Sequence, residues 1–366
     1  MKKVTHIITT ISRGGAENQL ITLAQEQISS GWQVAVIYLK DAPELIKDFR
    51  KIGVEVIEQC AKYRVIRQIF WLKNYFKINK CVIHAHLPRA EILTALAAQK
   101  NSFVFTRHNS EAFFPNAPQG VSSFLSRFVS NRAKSGIAIS KAVEDFIRSK
   151  NEISNKCGIS IIYYGFNTIP IKKDQHSLPG KHANINKDDF VFGTIGRIVP
   201  QKDYPTLLKA FNIVAKDQEN CKLLIVGDGY LKNEMEDLVD NLGLTSKVIW
   251  FGRTDKVIET LNLMDCFVLT SKYEGFGLVL LEAMSAKVPI IASNASAIPE
   301  VLGNDYPFLS TPGDLIDFAK KMKNVKNLDK NQLAELQIIQ TRRLQMFDPK
   351  TMNSAITKIY SEIKSK

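Results

Sequence analysis

An α/β protein built from two parallel sheets is the fold class that the sequence predicts. Short apolar, β-branched runs alternate with amphipathic segments of helical length along the 366 residues, and this rhythm is typical of parallel strands joined by helical crossovers. The rhythm stops once, in a linker-like stretch between Thr168 and Asp189 that contains Pro170, Pro179 and Gly180, and then restarts. A chain of this length also fits two domains of about 150 to 200 residues better than a single core.

Each half begins with a predicted strand and continues as alternating strands and helices. The strands expected before the linker are Val4–Thr10, Gln33–Leu39, Val54–Ile57, Val82–Ala85, Phe103–Thr106, Gly136–Ile139 and Ile159–Tyr164. The strands expected after it are Phe190–Ile195, Lys222–Val226, Val248–Phe251, Cys266–Thr270, Pro289–Ala292 and Pro307–Leu309. The segment Ala16–Gly31 illustrates the connections, because Leu20, Leu23 and Ala24 lie at helical spacing before a glycine stop.

These boundaries predict a first domain over residues 1–168, a second over 169–345, and a closing helix over 346–366. The stretch Lys350–Ser365 carries five apolar residues at helical spacing, namely Met352, Ile356, Ile359, Tyr360 and Ile363. An apolar stripe of this kind has to be buried against another element. We expect the closing helix to pack on the first domain.

Composition places the chain among ordinary globular proteins. Hydrophobic residues make up 45% and charged residues 23%, and no run approaches the roughly 18 to 20 apolar residues that cross a bilayer. The apolar start is interrupted by Thr9 and Thr10 too early for a secretory signal, so it is interpreted as the first strand of a cytoplasmic protein. The five cysteines are scattered without C-x-x-C spacing, which disfavours a structural zinc site or a disulfide framework.

The positive charge is concentrated in the first half. Residues 1–168 hold 23 Lys or Arg and 12 Asp or Glu, a net charge of +11, whereas residues 169–366 hold 26 and 24, a net charge of +2. The imbalance suggests an anionic partner for the first half: an anionic membrane surface, a phosphate-bearing acceptor or nucleic acid. Charge alone does not choose among them.

One strongly basic segment, Lys62–Lys80, is also rich in aromatic residues. It has six Lys or Arg and no acidic residue, together with Phe70, Trp71, Tyr75 and Phe76. One interpretation is a helix that rests on an anionic membrane. The other is a basic surface helix with an ordinary buried side, because on a helical projection its basic and apolar faces are poorly separated.

The segment Glu274–Ala283 is the strongest candidate for a functional site. A predicted strand runs into a glycine-containing loop, and a helix is expected to begin near Gly277. The first peptide N–H groups of a helix lack internal partners and, with the helix dipole, attract anions. Glu274 before the helix and Glu282 within it can accept hydrogen bonds from hydroxyl groups on either side of a bound phosphate. The alternative is that Glu274 is a helix cap and Glu282 a solvated helix residue.

A second candidate is Arg197, which follows a predicted strand, with Lys202 five residues further on. A guanidinium fork and an ammonium can together neutralise a diphosphate from one side. Ligands of open α/β sheets bind at the carboxyl ends of strands. This favours a role in ligand binding over the alternative that both residues are ordinary surface cations.

Glycine pairs mark two further strand-to-helix turns. Gly14 and Gly15 follow the first strand, where they allow close approach of a ligand to the backbone at a helix start. They do not form G-x-G-x-x-G, and the signal is weak. Gly227 and Gly229 follow another strand, where a tight turn at the sheet edge is as good an interpretation as any sharper role.

Histidines follow two other predicted strands. His84 and His86 are two apart on a strand, so they face the same side and could bind a metal together. No third ligand stands at suitable spacing and the chain has no Asp-x-Asp, so no metal site is predicted. His108, at a strand end beside Arg107 and Asn109, is the better functional candidate, with a core or turn histidine as the alternative.

Taken together, these segments resemble the family-4 group of retaining glycosyltransferases, which have the GT-B fold, over essentially the whole chain. The resemblance rests on an ordered set of motifs: Gly14-Gly15-Ala16-Glu17, Arg107-His108-Asn109, Tyr164-Gly165-Phe166-Asn167, Gly196-Arg197 with Lys202, Val226-Gly227-Asp228-Gly229, and Glu274 with Glu282 eight residues on. One motif departs from the family pattern: this chain has Tyr164-Gly165-Phe166-Asn167 where the family usually has an Asn-Gly-Val-Asp-like turn.

The resemblance implies two Rossmann-like domains that face each other across a cleft, and it implies roles for single residues. Arg197 and Lys202 would hold the donor diphosphate, and Glu282 would bind the ribose hydroxyls. Glu274 would bind the transferred sugar and His108 would contact it near the reaction centre, so His108, Glu274, Arg197 and Lys202 form the implied catalytic set. The other implied donor-binding residues are Gly14, Gly15, Phe276, Gly277 and Leu278.

The resemblance also implies the reaction: a hexose-type sugar passes from a UDP- or GDP-sugar to a glycan or lipid-linked acceptor of cell-envelope polysaccharide, with retention and without a metal or other cofactor. The enzyme is expected in the cytoplasm, with peripheral contact to the anionic inner membrane surface and no nucleic-acid partner. The alternatives are a non-catalytic protein that binds sugar nucleotides or serves as a scaffold, and a GT-B epimerase or phosphorylase.

Overall fold

The computed structural model describes residues 2–41, 43–168 and 185–363. The chain divides into two compact units, one of Met1–Asn167 with Phe347–Lys366 and one of Thr168–Met346. Most of the predicted linker, residues 169–184, lies outside the described residues.

The first unit contains a seven-stranded parallel sheet with the order β3-β2-β1-β4-β5-β6-β7. Each predicted strand of this half is confirmed, and no end shifts by more than three residues. The strands are β1 Lys3–Ile8, β2 Gln33–Tyr38, β3 Glu55–Ile57, β4 Val82–His86, β5 Phe103–Arg107, β6 Ser135–Ala138 and β7 Gly158–Ile161. The helices are α1 Gly15–Ser29, α2 Ile46–Lys51, α3 Val65–Ile78, α4 Pro88–Ala97, α5 Gln119–Arg132 and α6 Lys141–Ser149.

The second unit contains a six-stranded parallel sheet with the order β10-β9-β8-β11-β12-β13. All six predicted strands are again present: β8 Phe190–Ile195, β9 Cys221–Val226, β10 Val248–Gly252, β11 Cys266–Leu269, β12 Ile290–Ser293 and β13 Leu309–Ser310. The helices are α7 Tyr204–Asp217, α8 Lys232–Asn241, α9 Val257–Leu261, α10 Leu278–Ser285, α11 Ile298–Leu302, α12 Leu315–Lys326 and α13 Lys330–Leu344. The two parallel sheets confirm the predicted fold class.

Each sheet has one point where the order of strand addition reverses. In the first unit that point lies between β1 and β4, and in the second between β8 and β11. The loops that leave these two strands separate to opposite faces of the sheet and open a crevice at their carboxyl ends. Ligands of doubly wound sheets bind at such points.

The closing helix, α14 (Pro349–Ser361), belongs to the first unit and packs against α1. Four of its five predicted stripe residues are buried: Met352, Ile356, Ile359 and Tyr360. Polar contacts fix the helix as well, because Asn353 Nδ2 donates to the carbonyl of Glu26 at 3.2 Å and Gln27 Nε2 donates to the Tyr360 hydroxyl at 3.3 Å.

Helix α3 has a buried side, formed by Gln68 and Leu72, as the second interpretation of the basic segment expects. It nevertheless leaves Ile66, Phe70 and Ile78 exposed at 72%, 66% and 73%. Among the helices of the described ranges, none combines the length and apolar character needed to cross a membrane.

Candidate functional site

Residues singled out in the second half gather at the crevice of the second sheet. Arg197 and Lys202 lie just beyond β8, and Glu274 and Gly277 lie just beyond β11. Since β8 and β11 are the neighbouring strands at the switch point, the two loops meet at the carboxyl edge, where ligands of such sheets bind.

Lys202 and Glu274 form the central contact of this site. Lys202 Nζ donates to Glu274 Oε1 at 2.6 Å, and both side chains are largely buried, with 15% and 8% exposure. Ser271 Oγ donates to the same carboxylate oxygen at 2.6 Å. The ammonium carries three donors, so it can keep this contact and still donate to a phosphate.

Backbone contacts hold the two loops in register. The Thr270 hydroxyl donates to the carbonyls of Lys202 and Asp203 at 2.9 and 3.1 Å, and Lys272 N donates to the carbonyl of Gln201 at 2.8 Å. The ammonium and the carboxylate are therefore placed by a rigid framework, which lowers the entropy lost when a ligand is bound.

The alternative interpretation of Glu274 as a helix cap is wrong. The N-cap of α10 is Gly277, whose φ of 89° lies in the left-handed region that favours glycine. No side chain caps α10, and no hydrogen bond is recorded within the described residues for the backbone N–H groups of Gly277, Leu278 and Val279. Those donors, with the helix dipole, make the predicted anion site. The Phe276 side chain is buried in the loop below them.

Arg197 is exposed, and the turn that carries it packs closely on the turn after β9. A Cβ atom on Gly227 would lie 1.9 Å from the carbonyl oxygen of Gly196, and one on Gly229 would lie 2.2 Å from that of Ile198. The glycine pair therefore acts by close packing beneath Arg197, which agrees with the tight-turn interpretation. The exposed guanidinium is left accessible to an anion.

Glu282, in the second turn of α10, is half-buried rather than solvated. Burial raises the pKa of its carboxyl group to about 7, because desolvation disfavours the charged form. No hydrogen bond or ion pair is recorded for this carboxyl group among the residues that the structure describes. A ligand that donates hydrogen bonds to it would restore the ionised form.

In the first unit, Gly14 and Gly15 lie at the start of α1, directly beyond β1. Gly14 is the N-cap and no side chain caps the helix. A Cβ atom on Gly14 would lie 2.4 Å from Glu17 Oε2, and Glu17 Oε1 accepts a hydrogen bond from Thr10 Oγ1 at 3.0 Å. The glycine thus makes room for a buried carboxylate of its own helix, a local reason for its presence that the sequence did not reveal.

His108, which is half-buried, ends a chain of histidines whose other members are buried. His86 Nδ1 lies 3.1 Å from His108 Nε2, and His6 Nδ1 lies 2.9 Å from His86 Nε2. Burial lowers the pKa of His108 to about 3, with a further contribution from the nearby Arg107 cation, and it lowers the pKa of His6 to about 4. The rings are therefore neutral at physiological pH.

Both ring nitrogens of His108 are engaged inside the first unit. The second partner is the Tyr164 hydroxyl, 2.5 Å from His108 Nδ1. Tyr164 stands at the position where the sequence departs from the family pattern, so the departure supplies a partner for a predicted site residue. His108 would have to give up one of these hydrogen bonds to donate to or accept from a sugar hydroxyl.

The structure also corrects the argument against a metal. Strand β1 brings His6 into register with His84, and His6, His84 and His86 place three ring nitrogens within 4.8 Å of one another. A third ligand is thus available, although not close in sequence. Each ring already has polar partners, since His84 contacts Tyr360 at 2.6 Å and Thr106 at 2.7 Å. The cluster is accounted for as a hydrogen-bonded core.

Several residues that shape the site escaped sequence reasoning, among them Ser271, Thr270, His6 and Tyr164. Ser271 and Thr270 stand at the end of a predicted strand, directly before Glu274. Hydroxyl side chains at a carboxyl strand end are the signal that could have identified them.

Comparisons with known proteins agree with the predicted family. A family model described as Glycosyltransferase Family 4 matches residues 13–168, and one described as Glycosyl transferases group 1 matches residues 180–341. The uncharacterized glycosyltransferase MJ1059 of Methanocaldococcus jannaschii is 35% identical over 38% of this chain and 36% of that protein. The capsular polysaccharide biosynthesis glycosyltransferase CapM of Staphylococcus aureus is 31% identical over 52% of each. These matches span between a third and about half of the two relatives.

A third relative aligns over the whole of both chains at 27% identity. It is the Campylobacter jejuni GalNAc-alpha-(1->4)-GalNAc-alpha-(1->3)-diNAcBac-PP-undecaprenol alpha-1,4-N-acetyl-D-galactosaminyltransferase. Among solved structures, Alr3699/HepE of Anabaena in complex with UDP-glucose has a TM-score of 0.80 at 21% identity, covering 99% of this chain and 100% of that one. Since the family models match in order along both halves and the solved structures share the fold, the chain belongs to the family-4 glycosyltransferases of the GT-B fold.

Proposed function

We propose that the protein is a retaining glycosyltransferase that moves a hexose-type sugar from a UDP- or GDP-sugar to a glycan or lipid-linked acceptor in cell-envelope polysaccharide assembly. The observation that carries the proposal is the contact of Lys202 with Glu274 at the switch point, beside the uncapped start of α10. The site combines cations, free N–H donors and carboxylates. These are the groups that a diphosphate joined to a sugar requires.

The names of relatives support the substrate classes. The full-length relative from Campylobacter acts on an undecaprenol-diphosphate-linked glycan, and CapM serves capsular polysaccharide biosynthesis. HepE was solved with UDP-glucose. A cytoplasmic enzyme that works at the inner face of the membrane fits these substrates.

In the proposed reaction, Lys202 and Arg197 stabilise the charge that develops on the leaving diphosphate, together with the N–H groups of Gly277 and Leu278. Fixed donors aimed at developing charge are the main electrostatic contribution to catalysis. The Glu274 carboxylate is bound by the Lys202 ammonium and the Ser271 hydroxyl. In this position it can orient the hydroxyls of the sugar and face the positive charge of an oxocarbenium-like transition state.

Retention is proposed through a front-face displacement. The leaving phosphate oxygen takes the proton of the incoming hydroxyl on the same face from which the sugar departs. Glu274 is not assigned as a covalent nucleophile, and its carboxylate, which is committed to Lys202 and Ser271, is suited to an electrostatic role.

Transfer is expected to continue without a divalent cation, because Lys202, Arg197 and the α10 N–H groups supply the positive charge that Mg²⁺ supplies elsewhere. The measurement is the initial rate in excess EDTA against the rate with added Mg²⁺ or Mn²⁺. A rate that EDTA abolishes and Mg²⁺ restores would contradict the assignment of these cations.

Donor affinity is expected to fall about tenfold between pH 8 and pH 6. Ribose hydroxyls that donate to Glu282 favour its ionised form, so below its pKa of about 7 binding must first remove a proton. An intact nucleotide-sugar should be used, since a terminal phosphate titrates near pH 6 itself. Glu282→Gln should bind more weakly and lose this pH dependence; an unchanged slope in that variant would sink the assignment.

The function is tested by incubating the chain with UDP-, GDP- and ADP-sugars and measuring thermal stabilisation, because a ligand of the folded state raises apparent stability. The stabilising donor is then supplied with lipid-linked glycan acceptors, and the anomeric configuration of the product is determined by NMR. Stabilisation without transfer or hydrolysis would point to the non-catalytic alternative. Conversion of the donor sugar without an acceptor would point to an epimerase.

A further inference from the structure

An unbroken series of hydrogen bonds, here called the interior network, runs through the first unit. Its seven side chains are, in order, Tyr164, His108, His86, His6, Gln27, Tyr360 and His84. All of them except the half-buried His108 are buried. The network therefore connects the closing helix α14, which carries Tyr360, to the histidine that the sequence singles out as a site residue.

Each histidine of the interior network is neutral and therefore carries a single ring proton. Burial lowers the pKa of His108 to about 3 and that of His6 to about 4. It also lowers the pKa values of His84 and His86 well below the ordinary value. A neutral imidazole donates through one ring nitrogen and accepts through the other. The direction of one hydrogen bond in the network therefore fixes the direction of the next.

Tyr360 sets the direction at the inner end. Hydrogen bonds donated by O–H groups are shorter than those donated by N–H groups, and the 2.6 Å between the Tyr360 hydroxyl and His84 Nδ1 is an O–H length. His84 then donates from Nε2 to Thr106 Oγ1 at 2.7 Å. Since the Tyr360 proton goes to His84, its oxygen accepts from the amino group of Gln27 at 3.3 Å. The carbonyl oxygen of Gln27 therefore faces His6, 2.8 Å from its Nε2.

From Gln27 the direction passes outwards from ring to ring. A carbonyl oxygen can only accept, so His6 carries its proton on Nε2 and accepts through Nδ1 from His86 Nε2. His86 in turn accepts through Nδ1 from His108 Nε2. His108 Nδ1 is then an acceptor, and the Tyr164 hydroxyl donates to it at 2.5 Å, which is again an O–H length. The tyrosines at the two ends of the network thus give the same direction independently.

We propose that Gln27, acting through His6 and His86, is a positioning residue that fixes the tautomer of His108, so that this ring offers Nδ1 as a hydrogen-bond acceptor. The Nε2 edge of His108 is turned to the buried His86, which leaves Nδ1 as the nitrogen that can exchange its partner. In the proposed function, which this step deepens, a hydroxyl group of the sugar takes the place of the Tyr164 hydroxyl and donates to Nδ1. His108 then accepts from the sugar and does not donate to it.

The tautomers are measured by NMR in the full chain, without any substrate. The sequence has six histidines, so selective nitrogen-15 labelling gives few signals, and His176→Gln and His182→Gln identify those of the two remaining histidines. Long-range proton–nitrogen correlations distinguish a ring nitrogen that carries a proton from one that does not. We expect the proton of His6, His86 and His108 on Nε2. A proton on Nδ1 of His108, or its exchange between the two nitrogens, would overturn the proposal.

Variants of Gln27 test whether this residue is the cause. Gln27→Met keeps a long buried side chain but removes the carbonyl acceptor of the His6 proton, so His108 should populate both tautomers. Transfer should then fall by up to about tenfold, the scale of one hydrogen bond. Gln27→Glu keeps an acceptor that faces His6 and should keep the native tautomer. Gln25→Met, at an exposed position of the same helix, is the matched control and should change neither the tautomer nor transfer.

Tyr164→Phe separates the interior network from the other partner of His108. The change removes the donor at Nδ1, and the proton should stay on Nε2 because the tautomer is fixed from the side of His86. The proposal is overturned if the proton moves to Nδ1 in this variant, or if Gln27→Met has the same tautomers as the native chain. Because the tautomers are measured without substrate, a proton on Nε2 supports the inference even where no nucleotide-sugar binds, a result that would contradict the proposed function alone.

Discussion

Lys202→Ala is expected to lower kcat/KM at least about 100-fold, the scale of losing one transition-state charge contact. The variant removes an ammonium that can face the leaving diphosphate, and it also deprives the Glu274 carboxylate of its 2.6 Å partner. Because charge on the diphosphate grows in the transition state, the loss should fall mainly on kcat. Arg197→Ala and Glu274→Ala should cost a similar factor.

Further variants separate the two contributions of Lys202, which are its contact with the leaving diphosphate and its contact with Glu274. Lys209→Ala on α7 removes an exposed lysine of the same unit and should leave transfer unchanged. In a double-mutant cycle with Glu274→Gln, a pair that works as a unit shows strong non-additivity, whereas a lysine that only contacts phosphate adds its full effect. Near-native turnover by Lys202→Ala, Arg197→Ala and Glu274→Ala would defeat the site assignment.

The fold could be predicted from the sequence because its signal is local. In a parallel sheet buried on both faces, each strand is a short apolar run that can be recognised without its neighbours. β8 and β11 were located in this way, and with them the loops that carry Lys202 and Glu274. Both loops are expected at the carboxyl edge of the sheet, because ligands bind at the carboxyl ends of its strands. The 2.6 Å contact itself depends on side-chain packing between loops 72 residues apart, and the sequence does not specify it.

The histidine cluster shows what local patterns miss. His84 and His86 were recognised as neighbours because they share a strand, but His6 joins them through the pairing of β1 with β4. The partner Tyr360 comes from the far end of the chain. Strand order and register determine such contacts, and neither has a short-range signature. The exposed apolar face of α3 was obscured for a related reason, because a helical projection does not show which arc the tertiary structure buries.

Arg107, which the sequence offered only as a neighbour of His108, is expected to be essential for the stability of the first unit. Its Nε lies 3.0 Å from Glu91 Oε2, and its Nη2 donates to Ser126 Oγ at 2.8 Å. The guanidinium lies 4.1 Å from the ring centre of Phe113. Arg107 is 5% exposed, and Glu91 and Glu152 are fully buried. The cluster is a buried cation shared between two carboxyl groups.

Arg107→Met should therefore lower the free energy of unfolding of this unit by about 3 to 5 kcal/mol, the cost of leaving a buried charge without its partner. The matched control is Arg148→Met, because the Arg148 side chain is 48% exposed and its partner Glu144 keeps Lys141 as a second cation. This change should cost no more than about 1 kcal/mol. In a Trp250→Phe background, Trp32 and Trp71 report urea unfolding of the first unit alone.

The pH dependence of the decrease in unfolding free energy caused by Arg107→Met identifies the reason for that decrease. Burial already raises the pKa of Glu91 to about 7, against the opposing effect of Arg107. Without the cation this pKa rises further, so the carboxyl group takes up a proton below pH 7 and the uncompensated charge disappears. The difference between Arg107→Met and the native chain should thus shrink as the pH falls from 8 to 5. A loss that is constant over this range, or no larger than that of Arg148→Met, would mean that the guanidinium contributes packing rather than charge compensation.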